Sequence, residues 1–210
     1  MEIIWHGHSC FELVEQDYHI VIDPFQAGSI GTAFPDLDLA ADEVLVTHEH
    51  RDHNGRECVR LRSGRTSPFT ITEFEGAHDF ARGRLRGPNT IFLIEANGLR
   101  VAHFGDQGGP LLPDQKKALK DLDAVMIPTG GILVWEPEEA VRQCESLQPR
   151  VIIPMHYKAE GHANWRLWPV EHFSSYFSEN GVCPVIEYET NRMTLNPDTE
   201  KHVAILKAPK

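Results

Sequence analysis

The sequence predicts an α/β (α+β) fold in which strands form sheets inside and helices lie outside. Short apolar runs separated by loops recur along the 210-residue chain, as is typical of strands. Two of these runs, "AVMIP" and "RVIIPMHY", are nearly continuous and indicate strands that are buried on both faces. Helical segments fall mainly in the second half, between and after the strands, which favours layered packing of helices on sheets.

The predicted strands follow one another along the chain. "EIIW" and "CFELV" form a hairpin-like pair, and "HIVID", "EVLVT" and "FTITEF" come next. The run "TIFLIEANGLRVAHF" predicts a second hairpin that turns at Asn97 and Gly98, because Asn-Gly is a strongly favoured two-residue turn. The apolar runs named above follow, and "VIEYE" and "HVAIL" are the last predicted strands.

Three segments have the end signals of helices. "PDQKKALKDL" begins with Pro113 and Asp114, which suit a first helical turn. "EPEEAVRQCESL" carries Pro137 and several glutamates at its start, which complement the helix dipole. "PVEHFSSYFSENG" ends at Gly181, a residue type common just after a helix. No change of composition marks a boundary, so residues 1–210 are predicted to form a single domain.

Charge and composition restrict the function. The formal net charge is −11, which argues against long nucleic acid and against an anionic membrane surface as partners. No apolar run approaches the roughly 18 residues of a membrane span, and the N-terminus lacks signal-peptide features. We therefore expect a cytoplasmic protein that acts on a small-molecule substrate and that could form a homo-oligomer. The four cysteines are widely spaced without a CxxC pair, so free thiols are expected.

The most unusual stretch is "VTHEHRDHNG", residues 46–55. His48, His50, Asp52 and His53 form the pattern HxHxDH, and imidazole and carboxylate groups are good ligands for Zn²⁺ and similar ions. In an extended loop His48 and His50 point the same way, and Asp52 and His53 follow as the chain turns. One loop could thus offer two ligand pairs to two metal ions. The alternative is a solvated, histidine-rich loop.

Other apolar runs also end in a potential metal ligand. "FTITEFEGAH" ends at His78, "LRVAHFGD" at Asp106 and "RVIIPMH" at His156. Ligand-binding residues of open sheets gather outside the strand ends, so these residues are predicted to meet at one edge. Taken singly, each histidine could be structural and Asp106 could be a turn residue. His103 lies inside a strand-like run and is expected to be structural.

This ordered set of residues resembles the metallo-β-lactamase superfamily over nearly the whole chain. It is most similar to a compact bacterial branch of metal-dependent hydrolases that includes the ascorbate-6-phosphate lactonase-like proteins. "THEHRDH" is the most specific match. The branch also has "GHS" after the first strand, "DP" after a later strand and a Gly-Gly segment before a helix, matched here by residues 7–9, residues 23–24 and "PTGGILVWEPEEA".

The resemblance implies a four-layer αββα sandwich, the metallo-β-lactamase fold, with a dinuclear metal site at one edge. It implies that the first ion is bound by His48, His50 and His78, that the second is bound by Asp52, His53 and His156, and that Asp106 bridges both. The cofactors would be two divalent ions, with Zn expected first and Mn or Fe as alternatives. The ions would lower the pKa of a shared water to give hydroxide near neutral pH, and Asp52 would orient that hydroxide as the catalytic residue.

Four further residues are candidates around the metal site. His8 could orient a ligand or contact substrate, or could simply cap a turn. Asp23 could accept a hydrogen bond from a ligand histidine, or could end a strand before a proline. Thr129 and Gly130 could form the floor of the pocket, where glycine lets backbone approach a ligand, or could belong to an ordinary turn.

Two loops near the predicted site are also candidates. Arg82, Arg84 and Arg86 lie in the basic stretch "DFARGRLRGPN" and could hold a phosphate or carboxylate of the substrate, or could be solvated. Trp165 and Trp168, with His162, could roof the pocket, although packing is the more common role of such aromatic residues.

The sequence therefore predicts a metal-dependent hydrolase acting on a small, anionic ester, lactone or phosphodiester. Two alternatives stay open at this point. One is a phosphodiesterase or nuclease acting on small nucleotides. The other is a non-catalytic metal-binding or sensing module, because ligands alone do not require turnover.

Overall fold

Two facing β-sheets and three α-helices make up the part of the protein that the structure describes. A computed structural model describes residues 1–132, 134–164 and 166–210. The predicted packing role of Trp165 therefore lies outside the described residues. Within these ranges, no helix is long and apolar enough to span a bilayer.

The strands and helices follow closely the order predicted from the sequence. The strands are β1 (Glu2–Gly7), β2 (Cys10–Glu15), β3 (Tyr18–Ile22), β4 (Leu39–Ala41), β5 (Glu43–Leu45), β6 (Val59–Leu61), β7 (Thr70–Ala77), β8 (Pro88–Ala96), β9 (Leu99–His103), β10 (Ala124–Pro128), β11 (Val151–Met155), β12 (Val185–Glu187), β13 (Arg192–Thr194) and β14 (His202–Ile205). The helices are α1 (Pro113–Ala118), α2 (Pro137–Leu147) and α3 (Glu171–Glu179), and a 3₁₀ helix spans Arg56–Cys58.

The strands form two main sheets and a short pair. One sheet has the order β13-β1-β2-β3-β5, and the other has the order β12-β14-β11-β10-β9-β8-β7. Strands β4 and β6 pair with each other. Both predicted hairpins are confirmed: β1 pairs antiparallel with β2, and β8 pairs antiparallel with β9 on either side of Asn97 and Gly98. The three strands missed by the sequence, β4, β6 and β13, are too short to show a periodic pattern.

The side chains of β10 show why its run is apolar on both faces. Ala124 and Met126 belong to the apolar core between the two sheets, which draws residues from Ile3 to Leu206. Val125 and Ile127 point the other way, into a second core under the helices. Because successive strand residues face opposite sides, a strand covered on both sides must be apolar throughout.

The α/β class is confirmed, but the two helical layers are unequal. The buried apolar residues of α2 and α3 all lie in the core against the seven-stranded sheet. In the part of the chain that forms β1 to β6, the described residues contain only the 3₁₀ helix Arg56–Cys58. The outer helical layer on that side of the implied αββα sandwich is thus minimal. The physical reason is that this half of the chain consists of short strands and the histidine loop and contains no amphipathic run long enough for a helix.

Two helix boundaries also differ from the prediction. Helix α1 ends at Ala118 rather than at Leu122, and Asp121 has a positive φ of 54°, which an α-helix cannot contain. Helix α3 begins at Glu171 rather than at Pro169. Neither difference changes the position of the strands whose ends carry the predicted site.

A pair of isoleucines tests the assigned core. Ile153 is 1% exposed between the sheets, and replacing it with alanine should lower the free energy of unfolding by about 2–5 kcal/mol. The variant loses the free energy of burying the removed atoms and also leaves a destabilising cavity. Ile186 is 43% exposed, and Ile186→Ala should cost about 1 kcal/mol or less. Urea denaturation of both variants measures the difference. Equal losses would contradict the assignment of the inter-sheet core.

Candidate metal centre

The predicted site residues lie where strands end. His8 follows β1, Asp23 follows β3, and the loop from Thr47 to His53 follows β5. On the second sheet, His78 follows β7, and the segment that contains Asp106 follows β9. Thr129 and Gly130 follow β10, and His156 follows β11. The convergence of strand ends that the sequence predicted is therefore present in the structure.

Asp106 lies at the centre of these residues and is 1% exposed. His53 Nε2 is 3.1 Å from Asp106 Oδ1. On the other carboxylate oxygen, Oδ2, His156 Nε2 lies at 3.1 Å, His78 Nε2 at 3.2 Å and His48 Nε2 at 3.9 Å. One buried carboxylate is thus surrounded by four imidazoles.

Donor atoms fall into groups that could each hold a metal ion. One group contains His48, His50 and His78, and the other contains His8, Asp52, His53 and His156. Within each group the donor atoms lie within 4.8 Å of one another, and a third group of His48, His53 and Asp106 lies between them. All seven ligand positions expected from the resemblance are therefore brought together. The second group also contains His8, whose Nε2 lies 3.6 Å from Asp52 Oδ2.

The hydrogen bonds of the site leave several buried donor atoms without a partner. Among the described residues, these include one ring nitrogen each of His8, His48, His53 and His78, both ring nitrogens of His156, and Asp106 Oδ1. A buried polar atom without a partner normally costs about 1–3 kcal/mol, so such a concentration needs an explanation. Nitrogen and oxygen donors that face one another across a few ångströms fit a bound divalent cation.

Asp23 determines which nitrogen of His53 is free. Its Oδ2 lies 2.8 Å from His53 Nδ1, and its carboxylate also accepts hydrogen bonds from the backbone N–H (2.7 Å) and hydroxyl (2.6 Å) of Thr47. The Asp23 carboxylate can only accept, so His53 Nδ1 donates. The Nε2 atom then faces Asp106, as a metal ligand would. Of the two interpretations of Asp23, the structure favours the one in which it orients a histidine.

Thr47 extends this control to His48. Because the Thr47 hydroxyl donates its proton to Asp23, its oxygen can only accept from His48 Nδ1, which lies 3.0 Å away. His48 Nε2 therefore carries a lone pair in neutral imidazole, and this is the unpaired atom that faces Asp106. Thr47 was not predicted from the sequence as a site residue, although its position directly before the HxHxDH pattern could have indicated this role.

The charges of the site are strongly coupled. Burial opposes ionisation of Asp106, but His156 and His53 outweigh burial and hold the pKa of that carboxyl well below its usual range. Burial lowers the pKa of His48 and of His8 to about 3 in each case. Burial also disfavours charge on His53, but the carboxylates of Asp106 and Asp23 outweigh it and raise the His53 pKa well above its usual value. In the absence of metal, a proton on His53 therefore supplies positive charge to the centre.

Comparisons with known proteins agree with this geometry. Residues 2–156 match the family model of the β-lactamase superfamily domain. The chain belongs to the metallo-β-lactamase superfamily. A UPF0173 metal-dependent hydrolase of Symbiobacterium thermophilum is 31% identical over 75% of this chain and 84% of its own length, which also places the chain in that family of metal-dependent hydrolases. A similar relative from Natranaerobius thermophilus is 27% identical over 89% of this chain and 96% of its own length.

Solved structures support the same fold. A Thermotoga maritima protein assigned as a Zn-dependent hydrolase of the metallo-β-lactamase superfamily is 29% identical, with a TM-score of 0.74 over 98% of each chain. A metallo hydrolase of Ignicoccus hospitalis, 18% identical, shares the fold with a TM-score of 0.65 over 100% of this chain and 96% of its own. The predicted superfamily is thus confirmed, whereas these relatives are named without a substrate and the lactonase-like activity stays a prediction.

Within this metallo-β-lactamase fold, strained backbone positions surround the metal centre. His8, Asp23 and His156 have positive φ angles of 51°, 50° and 55°. Such angles are uncommon for residues other than glycine, and they occur preferentially where the surrounding structure over-determines the backbone. Each of these residues directly follows a strand, so the left-handed conformation turns its side chain into the site instead of continuing the strand.

Thr129 and Gly130 lie behind His156 rather than among the donor atoms. The backbone N–H of Thr129 donates to Met155 O at 3.0 Å. A Cβ atom added to Gly130 would lie 1.9 Å from the carbonyl oxygen of His156, so only glycine allows this approach. These two residues therefore form a backbone support for His156, which combines the two interpretations offered by the sequence.

Asn89 holds Asp106 in place and was missed by the sequence analysis. Its Oδ1 accepts the backbone N–H of Asp106 at 3.0 Å, and its Nδ2 donates to Phe104 O at 2.9 Å. Gly105 packs against it so closely that a Cβ would lie 2.4 Å from Asn89 Oδ1. No motif contains Asn89, so its role appears only once β8 and β9 are paired. His103 is structural as expected: it is fully buried and its Nε2 lies 2.9 Å from Ser9 O.

The arginine loop occupies a place that the sequence predicted only in part. Arg82 and Arg84 are exposed and do not line the cavity that adjoins His78. Arg86, four positions after Arg82, does line it. Of the three arginines of this loop, the structure therefore brings Arg86 to the cavity beside the metal centre.

The orienting role of Asp23 can be tested by Asp23→Asn. Loss of the carboxylate weakens the hold on His53 and Thr47, and we expect the affinity for Zn²⁺ to fall by about 10–100-fold while the protein stays folded. Competition with a chelator measures the affinity. The matched control is Asp42→Asn, which removes a carboxylate of 3% exposure that accepts the His19 N–H on the same sheet. Equal effects of both variants would contradict the assignment.

The raised pKa of His53 predicts how metal binding depends on pH. The proton on His53 must leave before Nε2 can bind a metal, so metal affinity should rise with pH, by about tenfold per unit for each proton released, until pH exceeds the raised pKa. Chelator competition at about pH 6 to 8 gives the slope. Asp23→Asn, which removes one of the two carboxylates that hold the proton, should flatten it. A wild-type affinity that does not change with pH would contradict this assignment.

Proposed function

We propose that this protein hydrolyses a small, anionic ester, lactone or phosphodiester at a dinuclear metal centre. The observation that supports the proposal is the set of buried ring nitrogens that face Asp106 without hydrogen-bond partners. His48, His50 and His78 would hold one ion, Asp52, His53 and His156 the other, and Asp106 would contact both. The two donor groups and the central place of the carboxylate support this division.

The donor set favours Zn²⁺, with Mn²⁺ or Fe²⁺ as alternatives. Imidazole nitrogens and carboxylate oxygens suit each of these ions, and geometry and availability decide between them. When bound, the two ions would lower the pKa of a water molecule and polarise the carbonyl or phosphoryl oxygen of the substrate. Asp23 and Thr47 hold Nδ1 of His53 and of His48, so Nε2 of each ring is the atom that would bind metal, in His53 once its second proton has left.

Asp52 would orient the attacking hydroxide as well as bind metal. Its side chain is 31% exposed, and His50 beside it is exposed, whereas the other proposed ligands are buried. The mouth of the centre is therefore at Asp52. Burial opposes ionisation of Asp52, but His8 and His53 outweigh burial and lower its pKa, so it is a carboxylate at neutral pH and could accept a hydrogen bond that orients the attacking water.

A protein nucleophile is not favoured by the structure. Ser9 and Cys10 lie near the site but are fully buried. Burial raises the pKa of the Cys10 thiol well above its usual value, so little reactive thiolate would be present. Water is therefore the proposed nucleophile, and the reaction is a direct hydrolysis.

A hydrolysis panel tests this proposal. The protein is loaded separately with Zn²⁺ and Mn²⁺ and assayed on sugar-phosphate lactones, phosphodiesters, thioesters and a β-lactam. We expect metal-dependent turnover of one class and its loss in Asp106→Ala, because that variant removes the carboxylate shared by both donor groups. The control is Glu49→Gln, which changes an exposed acid inside the same histidine loop and should retain activity.

Two results of the panel would contradict the proposal. One is turnover that persists in Asp106→Ala, which would separate hydrolysis from the metal centre. The other is the absence of turnover in a protein that binds two ions per chain, which would favour the metal-binding module over the enzyme. Turnover of small phosphodiesters in preference to lactones and esters would select the phosphodiesterase alternative.

A further inference from the structure

An open cavity of about 620 Å³ adjoins the candidate metal centre. His78 lines it and also belongs to the first donor group. From there the cavity extends between the loop that follows β7 and the segment that precedes α2. Its volume is in the range of pockets that hold small molecules, so it is large enough for the part of a substrate beyond the bond that is cleaved.

The walls of the cavity are mainly apolar. Phe80 and Leu85 form one side, although their side chains are 80% and 67% exposed. Ile132, 43% exposed, and Trp135, 3% exposed, form the other side. Large apolar side chains that stay exposed beside a catalytic centre are typical of a surface that binds a ligand.

Both sides of the cavity are held by hydrogen bonds. The Asp79 carboxylate accepts backbone N–H groups of four residues of the loop, at 2.8–3.1 Å, namely Ala81, Gly83, Leu85 and Arg86. On the opposite side, Trp135 Nε1 donates to Gly109 O at 3.0 Å. The loop that carries Phe80 and Leu85 is thus fixed by hydrogen bonds. A preorganised wall loses less conformational entropy when a ligand binds.

Among the described charged groups at the rim, one cation has no side-chain partner. Glu139 is paired with Arg142, and Glu136 accepts hydrogen bonds from Ile132 N and Trp168 Nε1. Among the described residues, the guanidinium of Arg86 has no hydrogen bond or ion pair to another side chain. On a protein of net charge −11, an unpaired arginine at this rim favours an anionic group of a ligand.

We propose that this cavity is the substrate-specificity site and that it selects substrates that join an apolar acyl or aryl group to an anionic group. The apolar group lies between Phe80 and Leu85 on one side and Ile132 and Trp135 on the other, and Arg86 pairs with the anion. The inference rests on the proposed hydrolase function and makes its substrate less polar than a sugar phosphate.

Matched substrate series test the apolar half of the inference. The probes are 4-nitrophenyl esters of two-, four- and six-carbon alkanoates, and 4-nitrophenyl methyl and hexyl phosphates. We expect kcat/KM to rise about fourfold per methylene that enters the cavity. Leu85→Ser should lower kcat/KM about tenfold for the longest chains and little for the shortest. The control is Leu61→Ser, which changes a leucine of 63% exposure that does not line this cavity.

The anionic half is tested with mono-4-nitrophenyl esters of the dicarboxylic acids of matching length. Arg86→Gln should lower kcat/KM about tenfold for these anionic esters and leave the neutral alkanoates unchanged. The control is Arg60→Gln, since Arg60 is exposed on β6 and does not line this cavity. Rates that do not depend on chain length, or losses equal to those of the controls, would overturn the inference.

A binding measurement separates this inference from the proposed reaction. Naphthalene-1-sulfonate joins an aryl group to an anion and cannot be hydrolysed. Calorimetric titration with it therefore measures binding to the cavity in the absence of turnover. Binding should weaken about tenfold in Leu85→Ser and in Arg86→Gln but not in Leu61→Ser or Arg60→Gln. Intact binding without hydrolysis of any probe would refute the reaction and support the cavity. Binding that is absent, or insensitive to these variants, would refute the cavity assignment.

Discussion

The buried carboxylate of Asp106 is the constraint on which the rest of the site depends. A charge that is 1% exposed is tolerated only if cations or strong donors compensate it, and here four imidazoles surround it. Asn89 and the close packing at Gly105 fix its backbone, so the carboxylate cannot turn away to solvent. A protein that builds such a position around a single acid needs positive charge there, either as protons on histidine or as metal ions.

Orientation of the imidazoles follows from a short chain of hydrogen bonds. Asp23 accepts from His53 and from Thr47, and Thr47 accepts from His48, which leaves both Nε2 atoms free toward Asp106. The fold allows these hydrogen bonds because β3 and β5 are neighbours in one sheet, so Asp23 and the histidine loop, which follow these strands, lie side by side. Fold and site are thus connected by hydrogen bonds between the ends of adjacent strands.

The sequence predicted which potential donor residues lie together, because strand ends and donor side chains are both local features. The HxHxDH pattern and the residues His78, Asp106 and His156 could be found by the apolar runs that precede them. By contrast, the support from Asn89 and the loop built on Asp79 depend on contacts between distant segments, which no spacing reveals. The sequence could not tell which of Arg82, Arg84 and Arg86 lies beside the site, because the backbone path of that loop is set by four hydrogen bonds to Asp79. The helical layer beside β1 to β6 is thin because that half of the chain has no amphipathic run long enough for a helix. The resemblance to the family had implied a full helical layer there.

Anomalous diffraction from crystals grown with Zn²⁺ would test the central claim most directly. We expect two separate peaks, one among His48, His50 and His78 and the other among Asp52, His53 and His156, with Asp106 between them. The Nε2 atoms of His48, His53 and His156, which lack hydrogen-bond partners, should each point at a peak. A single peak, or a metal-loaded crystal in which Asp106 contacts no ion, would contradict the dinuclear centre.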